Sequence, residues 1–274
     1  MKNNRKKPKT PPKKPFQNDA KPRPPQKKPD QPKGPRPTIY GFHAVREAWL
    51  NENREVHTLY ASEAGLKTLE DVIGRRANVP VRVVDKHALE SLLPQGAVHQ
   101  GLALAATPLE EYSVQDFVIK SAAAQRSVYV MLDQVTDPHN VGAILRSACV
   151  FGLSGMILQR KHAPDLDGVL AKTACGAVEH IPVAYETNLS RCLETLKEAG
   201  FFIYGLDERG TDIAAMGEMP DKIVLVMGAE GPGLRRLVKE NCDSLLSLPV
   251  RGPIPSLNVS NAAAVAFYAV TLKL

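Results

Sequence analysis

The sequence lacks long apolar runs and is poor in cysteine and in aromatic residues. No run of about 18 apolar residues occurs, so no membrane-spanning helix is predicted. The four cysteines, Cys149, Cys175, Cys192 and Cys242, show no CxxC spacing. This pattern fits a reduced, cytoplasmic setting and excludes a zinc motif of that type. The seven histidines show no paired ligand spacing, so we expect no metal site.

Acidic residues are scarce at the start of the chain. Residues 1–37 contain ten Lys and three Arg against two Asp and no Glu, a net charge of +11 in a chain of +6. They also hold 11 of the 22 prolines and a single aromatic residue, Phe16. Such a segment cannot bury enough surface to offset the entropy of ordering, so we predict a disordered basic tail. Residues 38–274 are net acidic, at −5.

The rest of the chain is predicted to form two α/β units. Residues 38–107 read as a small unit, with helices at 39–50, 65–77 and 86–93 and strands at 56–62, 81–84 and 101–107. Residues 108–126 are acidic and polar, and predict a linker with room for a helical turn. Residues 127–274 alternate strands (127–133, 155–158, 180–184, 201–206, 223–228, 244–250) with helices (138–151, 166–173, 188–199, 233–240, 257–272). This alternation predicts a parallel sheet flanked by helices.

A first candidate motif spans residues 133–148. Asp137 followed by Pro138 is typical of a helix start, with the carboxylate as N-cap and proline at the first helical position. Arg146 lies about 140° around that helix from Val141, off the apolar stripe. The residues alone leave two interpretations open. Arg146 is either a functional cation or a solvated surface side chain, and Asn140 either belongs to a site or caps the helix locally.

A second candidate motif spans residues 223–234, where a buried strand leads into a loop containing Gly228, Gly231 and Gly233. Such loops let a ligand approach backbone N–H groups at a helix start. No Gly-Lys-Ser/Thr follows, and Glu230 would repel a phosphate, so we predict a ligand without phosphates. The alternative is a tight strand–helix turn with an incidental glutamate.

A third candidate motif spans residues 248–270. An irregular proline-rich loop is followed by four polar residues at the start of a helix: Ser256, Asn258, Ser260 and Asn261. One N-cap needs one such residue, so the excess indicates a polar site. The helix beyond is apolar nearly all round and must be buried, in the core or against a second subunit. A richly capped buried helix is the alternative.

Taken in order, these motifs resemble the SpoU, or TrmH-like, branch of the SPOUT methyltransferases. The set consists of N-x5-R, GxEGxG and LP-x2-G-x3-SLNVS, and residues 127–274 match it throughout. The stretch KTACGAVEHIPV is also similar to the ribosomal members. Residues 38–107, with YGFHAVREA and HQGLAL, resemble the small ribosomal-protein-like RNA-binding domain that is fused to those members.

The resemblance implies a C-terminal α/β domain whose parallel sheet contains a deep trefoil knot. It also implies S-adenosylmethionine as cofactor and no metal. The residues expected around the cofactor are Gly228, Glu230, Gly231, Leu248, Val250, Ser256, Leu257 and Val259. A homodimer is implied as well, with the C-terminal helix and the 138–151 helix packed across its two-fold axis.

The implied reaction is methylation of a ribose 2′-hydroxyl in RNA, with a guanosine of 23S ribosomal RNA favoured by the N-terminal domain. Arg146 would meet the RNA phosphate and the 2′-oxygen, as a base or as an electrostatic clamp. Asn140, Glu230 and Asn258 would orient Arg146 and the hydroxyl, and Ser256 would line the same site. Two alternatives stay open: a transfer-RNA 2′-O-methyltransferase of the same branch, and a non-catalytic RNA-binding or ribosome-assembly factor.

Overall fold

The computed structural model describes residues 34–254 and 256–274. The prediction of disorder for the tail therefore lies outside the described residues, except at its last four positions. There the carbonyl of Pro35 accepts a hydrogen bond from the Tyr60 hydroxyl (3.0 Å), and Arg36 Nε donates to the carbonyl of Leu92 (3.4 Å). Pro37 is buried. These contacts hold residues 35–37 against the N-terminal part, and the boundary between tail and domain at residue 37 stays a prediction.

The N-terminal part is a four-stranded mixed sheet with short helices. Its elements are β1 (Ile39–Tyr40), α1 (Phe42–Leu50), β2 (Val56–Ala61), α2 (Glu63–Lys67), β3 (Val81–Val83), α3 (Lys86–Leu92) and β4 (Leu102–Ala106). The strand order is β1-β4-β2-β3, with β4 antiparallel to β1 and β2, and β2 parallel to β3. Residues 39–40, predicted as helix, instead pair with β4, and α1 begins after Gly41, whose φ is +92°.

The helix predicted at 65–77 is broken. It consists of α2 and a separate 3-10 turn at Ile73–Arg76. Tertiary hydrogen bonds compete with a continuous helix here: the indole of Trp49 donates to the carbonyl of Val72 (3.1 Å), and Arg76 Nε donates to the carbonyl of Trp49 (2.7 Å). Gly74 adds a low helix propensity. Long-range contacts therefore override the local pattern.

The predicted linker at 108–126 contains a full helix, α4 (Val114–Ala122), rather than a turn. Ser113 and Asp116 form a reciprocal capping box at its start. The ring of Phe117 stacks on Tyr129, with centroids 4.6 Å apart, so α4 packs against the C-terminal sheet. This segment is therefore integrated into the second sheet's core.

The C-terminal part is a six-stranded, all-parallel sheet, as predicted. Its elements are β5 (Ser127–Asp133), α5 (Pro138–Val150), β6 (Gly155–Gln159), α6 (Gly168–Thr173), β7 (Val183–Glu186), α7 (Leu189–Glu198), β8 (Phe202–Asp212), β9 (Lys222–Gly228), α8 (Arg236–Glu240), β10 (Ser244–Ser247) and α9 (Val259–Thr271). The strand order is β10-β8-β9-β5-β6-β7. None of the helices in the described part of the chain is long and apolar enough to cross a membrane.

Three strands differ in length from the predictions. A 3-10 turn at Ala177–Glu179 delays the start of β7 to Val183, and β8 extends to Asp212 because it pairs along β10. β10 stops at Ser247, two residues before Pro249, which cannot donate a ladder hydrogen bond.

The N-terminal part and the C-terminal part are packed against each other. A Cβ atom at Gly176 would overlap the side chain of Glu47, so glycine lets α1 approach this turn closely. Asn51 Nδ2 donates to Glu179 Oε2 (2.8 Å), and Arg54 lies 3.7 Å from the other carboxylate oxygen. Arg54 and Glu179 are almost fully buried, and burial lowers the pKa of Arg54. Helix α1 of the N-terminal part therefore packs directly against the Ala177–Glu179 turn of the C-terminal part.

Candidate active site

From β5 the chain continues to β6 on one side of the sheet, and from β9 it continues to β10 on the other side. β5 and β9 are neighbours, so their carboxyl ends lie side by side where the connections diverge. In open α/β sheets such a switch point forms a crevice where ligands bind. β5 ends at Asp133 and β9 ends at Gly228, and these two residues are register partners. The second candidate motif therefore leaves the sheet at the position that topology favours for a site.

Loop 228–235 is closed on itself. A Cβ atom at Gly228 would overlap the backbone of Gly233, so only glycine lets the loop fold back here. The N–H of Gly233 donates to the carbonyl of Ala229 (2.9 Å). Gly231 and Gly233 have φ values of +82° and +68°, in the left-handed region that glycine adopts at no steric cost. The loop thus has a defined shape that depends on its three glycines.

A buried ion pair holds the end of this loop. The side chain of Asp133 is fully buried and accepts two hydrogen bonds from Arg235, one from the backbone N–H (2.8 Å) and one from Nε (2.6 Å). An unpaired carboxylate would be costly at such a position, so the pair must persist in the folded chain. Sequence reasoning missed both residues, although a charged residue at the end of a buried strand was the available signal.

Three predicted site residues come together beside the loop. Asn258 Nδ2 donates to Glu230 Oε1 (2.6 Å) and to Asn140 Oδ1 (3.0 Å). Glu230 Oε1 also accepts the backbone N–H of Val259 (3.2 Å), and Asn258 Oδ1 accepts the N–H of Ser260 (2.9 Å) as the N-cap of α9. We call Asn140, Glu230 and Asn258 the polar cluster. It joins the starts of α5 and α9 to the glycine loop.

Arg146 does not join the polar cluster. It is exposed on α5, and its Nη1 donates to the thiol sulfur of Cys175 (3.3 Å). The predicted helix start is observed: Asp137 caps α5 by accepting the N–H of His139 (3.2 Å), with Pro138 at the first position. Arg146 thus lies off the buried stripe, as expected, with its guanidinium held by one weak contact.

The predicted cofactor residues differ in their exposure, and Val259 contacts the loop through Glu230. Val259 is buried and Leu248 half-buried, whereas Val250 and Leu257 are about half exposed. Ser256 is exposed and has no hydrogen-bond partner in the described part of the chain. Nothing lies within 4 Å of a Cβ atom built on Gly231, so its backbone is bare.

The predicted cofactor residues fit S-adenosylmethionine. Exposed apolar side chains and backbone groups that no side chain covers suit the adenosyl group of the cofactor, whereas the carboxylate of Glu230 would repel a phosphate. Within residues 34–254 and 256–274, no group of three or more His, Cys, Asp or Glu could hold a metal ion.

Fold and site together define a class of proteins, the S-adenosylmethionine-dependent RNA 2′-O-methyltransferases. Residues 127–268 match the model of the SpoU rRNA methylase family, and residues 38–112 match the substrate-binding domain of RNA 2′-O-ribose methyltransferases. The chain belongs to the SpoU rRNA methylase family.

Relatives and solved structures agree with this assignment. The 23S rRNA (guanosine-2′-O-)-methyltransferase RlmB of Escherichia coli K12 is 35% identical over 235 residues, which cover 84% of this chain and 96% of the relative. An uncharacterized tRNA/rRNA methyltransferase of Synechocystis is 36% identical, and this chain spans 61% of its length. The AdoMet-bound rRNA methyltransferase of Sinorhizobium meliloti shares the fold, with a TM-score of 0.70, 22% identity and 87% of each chain covered.

Proposed function

We propose that this chain methylates the ribose 2′-hydroxyl of a guanosine in 23S ribosomal RNA, in the cytoplasm. The observation that carries the proposal is the polar cluster, which lies at the switch point of the parallel sheet beside a closed glycine loop. The RlmB relatives of E. coli and Salmonella typhi support the choice of RNA, because they match over 96% of their own length.

A ribose hydroxyl is a weak nucleophile, so the site must align it and provide for loss of its proton. When bound, S-adenosylmethionine supplies an activated methyl group on a sulfonium centre. Glu230 Oε1 is occupied by two N–H donors, whereas Oε2 has no partner in the described part of the chain. That oxygen is free to accept a hydrogen bond from the hydroxyl, while Asn258 and Asn140 keep the carboxylate in place.

Arg146 is assigned to the RNA rather than to the polar cluster. A guanidinium stays protonated at neutral pH, so it acts best as an electrostatic clamp. Its forked N–H donors match a phosphate or a developing oxyanion. Ser256 is exposed and would line the site where the RNA binds.

We also infer that the chain works as a homodimer through α5 and α9. The inner face of α9 is buried by Ala263, Ala266 and Phe267. Its outer face exposes Tyr268 and Leu272, and Val150 is exposed at the end of α5. An exposed apolar stripe on two adjacent helices is typical of an interface. Sedimentation of Tyr268→Asp should show monomers where the unaltered chain shows dimers.

The trefoil knot stays a prediction of the family resemblance.

The decisive experiment maps ribose methylations in total RNA from cells with and without the gene. Loss of one 23S guanosine methylation, restored by the unaltered chain and not by Arg146→Ala, would support the proposal. Loss of a transfer-RNA methylation would favour the tRNA alternative. No change in any RNA, together with no methyl transfer by the purified protein, would favour a non-catalytic assembly factor.

A further inference from the structure

A second concave site lies in the N-terminal sheet, apart from the polar cluster. It is a cleft of about 460 Å³ lined by residues that include Ser62, Lys86, Val98, His99, Gln100 and Gly101. It falls within residues 38–112, which match the substrate-binding model. Residues 38–107 contain seven Lys and Arg against eight Asp and Glu, so net charge cannot attract RNA to this domain. Contacts in a shaped site must provide its recognition.

His99 gives the cleft a hydrogen-bond donor on a largely buried ring. Its exposed fraction is 7%, and its Nδ1 accepts the backbone N–H of Gly101 (3.1 Å). Because Nδ1 accepts, the neutral ring has its proton on Nε2, and burial lowers the pKa of His99, which favours that neutral ring. Nε2 has no partner in the described part of the chain. The Nε2–H group is therefore available to a hydrogen-bond acceptor on a ligand in the cleft.

The loop that carries His99 is preformed. Gln100 has a φ of +53°, a conformation that a non-glycine residue adopts only when its surroundings impose it. Here Gln100 Oε1 accepts the N–H of Phe42 (3.1 Å), and the carbonyl of Gly101 accepts the N–H of Ser62 (2.8 Å). A Cβ atom at Gly65 would overlap that same carbonyl. A ligand would therefore meet a rigid loop and lose little entropy in ordering it.

The chemistry of the lining identifies the ligand. Val98 presents an exposed apolar surface and His99 a single donor. Lys86 presents a largely exposed ammonium group, 3.7 Å from the half-exposed carboxylate of Glu90, which also lines the cleft. A flat apolar ring with an acceptor on its edge and a nearby anion matches this arrangement. We propose that the cleft binds an unstacked nucleobase of the RNA substrate, its acceptor edge on His99 Nε2 and its phosphate near Lys86. This rests on the proposed function, which makes RNA the substrate. Sequence-specific RNA recognition mostly targets such unstacked bases.

The test uses a matched pair of valine substitutions. Val98→Asp places a carboxylate at the mouth of the cleft, and Val83→Asp places one on β3, outside it. The two valines have similar exposed fractions, 59% and 54%, and both lie in the N-terminal part. Affinity is measured for an RNA hairpin with unpaired loop nucleotides and for a fully paired duplex of equal length. Val98→Asp should weaken hairpin binding about tenfold and duplex binding much less, and Val83→Asp should change both little.

Equal losses with the two variants, or equal losses on hairpin and duplex with Val98→Asp, would overturn the proposal, as would no loss. An unchanged circular dichroism spectrum and an unchanged midpoint of urea unfolding show that each variant is folded. If Val98→Asp does not fold, Lys86→Ala serves instead: a severalfold loss on the hairpin supports the cleft, and no loss overturns it. Failure of the proposed function would appear differently, as no methyl transfer by the unaltered chain, and would leave these RNA affinities as measured.

Discussion

The two sides of the candidate active site differ in the contacts that hold them in place. The closed side is loop 228–235, which folds back through Gly228 and Gly233 and is tied to the sheet by Asp133. The open side consists of segment 248–257 and Arg146. Among its described residues, the segment makes no hydrogen bond, and Val250 and Leu257 are about half exposed. Within residues 34–254 and 256–274, the Arg146 side chain has only the Cys175 thiol as hydrogen-bond partner.

This difference separates what one chain organises by itself from what it leaves for its ligands. The closed side presents a carboxylate and bare backbone in a fixed geometry, which lowers the entropy cost of binding. The open side exposes apolar surface and a cation, groups that become buried or paired only when another molecule arrives. We therefore expect substitutions on the open side to affect function without affecting stability, and those on the closed side to affect both.

The largest effect is expected at Arg146, on the open side. Arg146→Ala should reduce turnover by about 10²-fold or more, because an electrostatic contact made in the transition state is lost. The free energy of unfolding and the affinity for S-adenosylmethionine should not change, since the side chain is exposed. Arg146→Lys should not restore activity, because an ammonium lacks the forked donors. Arg209→Ala, at another exposed arginine, is the control for turnover, and near-normal turnover of Arg146→Ala would refute the assignment.

Cofactor binding compares the two sides directly. Gly231→Val on the closed side and Leu257→Arg on the open side should each weaken S-adenosylmethionine binding at least about tenfold by steric intrusion. Gly231→Val should also cost stability, because valine is strained at a φ of +82°. Gly152→Val carries a similar strain at φ +70°, and Ile119→Arg on α4 a similar exposed charge, both outside the loop. Unchanged calorimetric affinities for the two loop variants would place the cofactor elsewhere.

A smaller effect on stability is expected at the base of the closed side. Asp133→Asn keeps the shape of the side chain but removes its charge, so the two hydrogen bonds from Arg235 weaken. Unfolding by urea should show a loss of about 2 kcal/mol. Asp221→Asn, which alters the exposed pair with Arg126, should cost less than about 1 kcal/mol. Similar losses for the two variants would mean that the Asp133 pair does not secure the loop.

The smallest effect is expected from the basic tail, which belongs to neither side. A chain that starts at Gly34 lacks twelve of the thirteen tail cations but keeps the contacts of Pro35 and Arg36. Its RNA affinity should fall severalfold at low salt and converge with that of the full chain as salt rises. The slope should change by roughly 0.7 per lost phosphate contact on single strands. Equal affinities and slopes would leave the tail as a solubility segment.

Much of this fold could be predicted from local patterns, because continuous apolar strands alternate with amphipathic helices in the C-terminal sheet. The failures have long-range causes. The break in the 65–77 helix depends on Trp49 and Arg76, which are distant in sequence from the carbonyls they bind. The helix α4 had a local signal in Ser113 and Asp116, but the acidic composition of the segment obscured it.

The candidate site divides in the same way. The motifs predicted the members of the polar cluster, and the structure brings Asn140, Glu230 and Asn258 into hydrogen-bond contact. They did not predict the Asp133–Arg235 pair, because it joins residues 102 positions apart across the sheet. Nor could they predict that Arg146 contacts Cys175, which depends on how α6 packs against α5 at Gly142.

Asn258 has a consequence for attempts to stabilise this protein. Its Oδ1 caps α9, while its Nδ2 holds Glu230 and Asn140. Aspartate or serine would cap the helix about equally well. Aspartate, however, would place a second carboxylate against Glu230, and the shorter serine would not reach both partners. Helix capping alone would therefore accept several residues at position 258. Capping α9 and holding both Glu230 and Asn140 requires the side-chain amide of asparagine. A screen for thermal stability could therefore select variants whose polar cluster no longer forms.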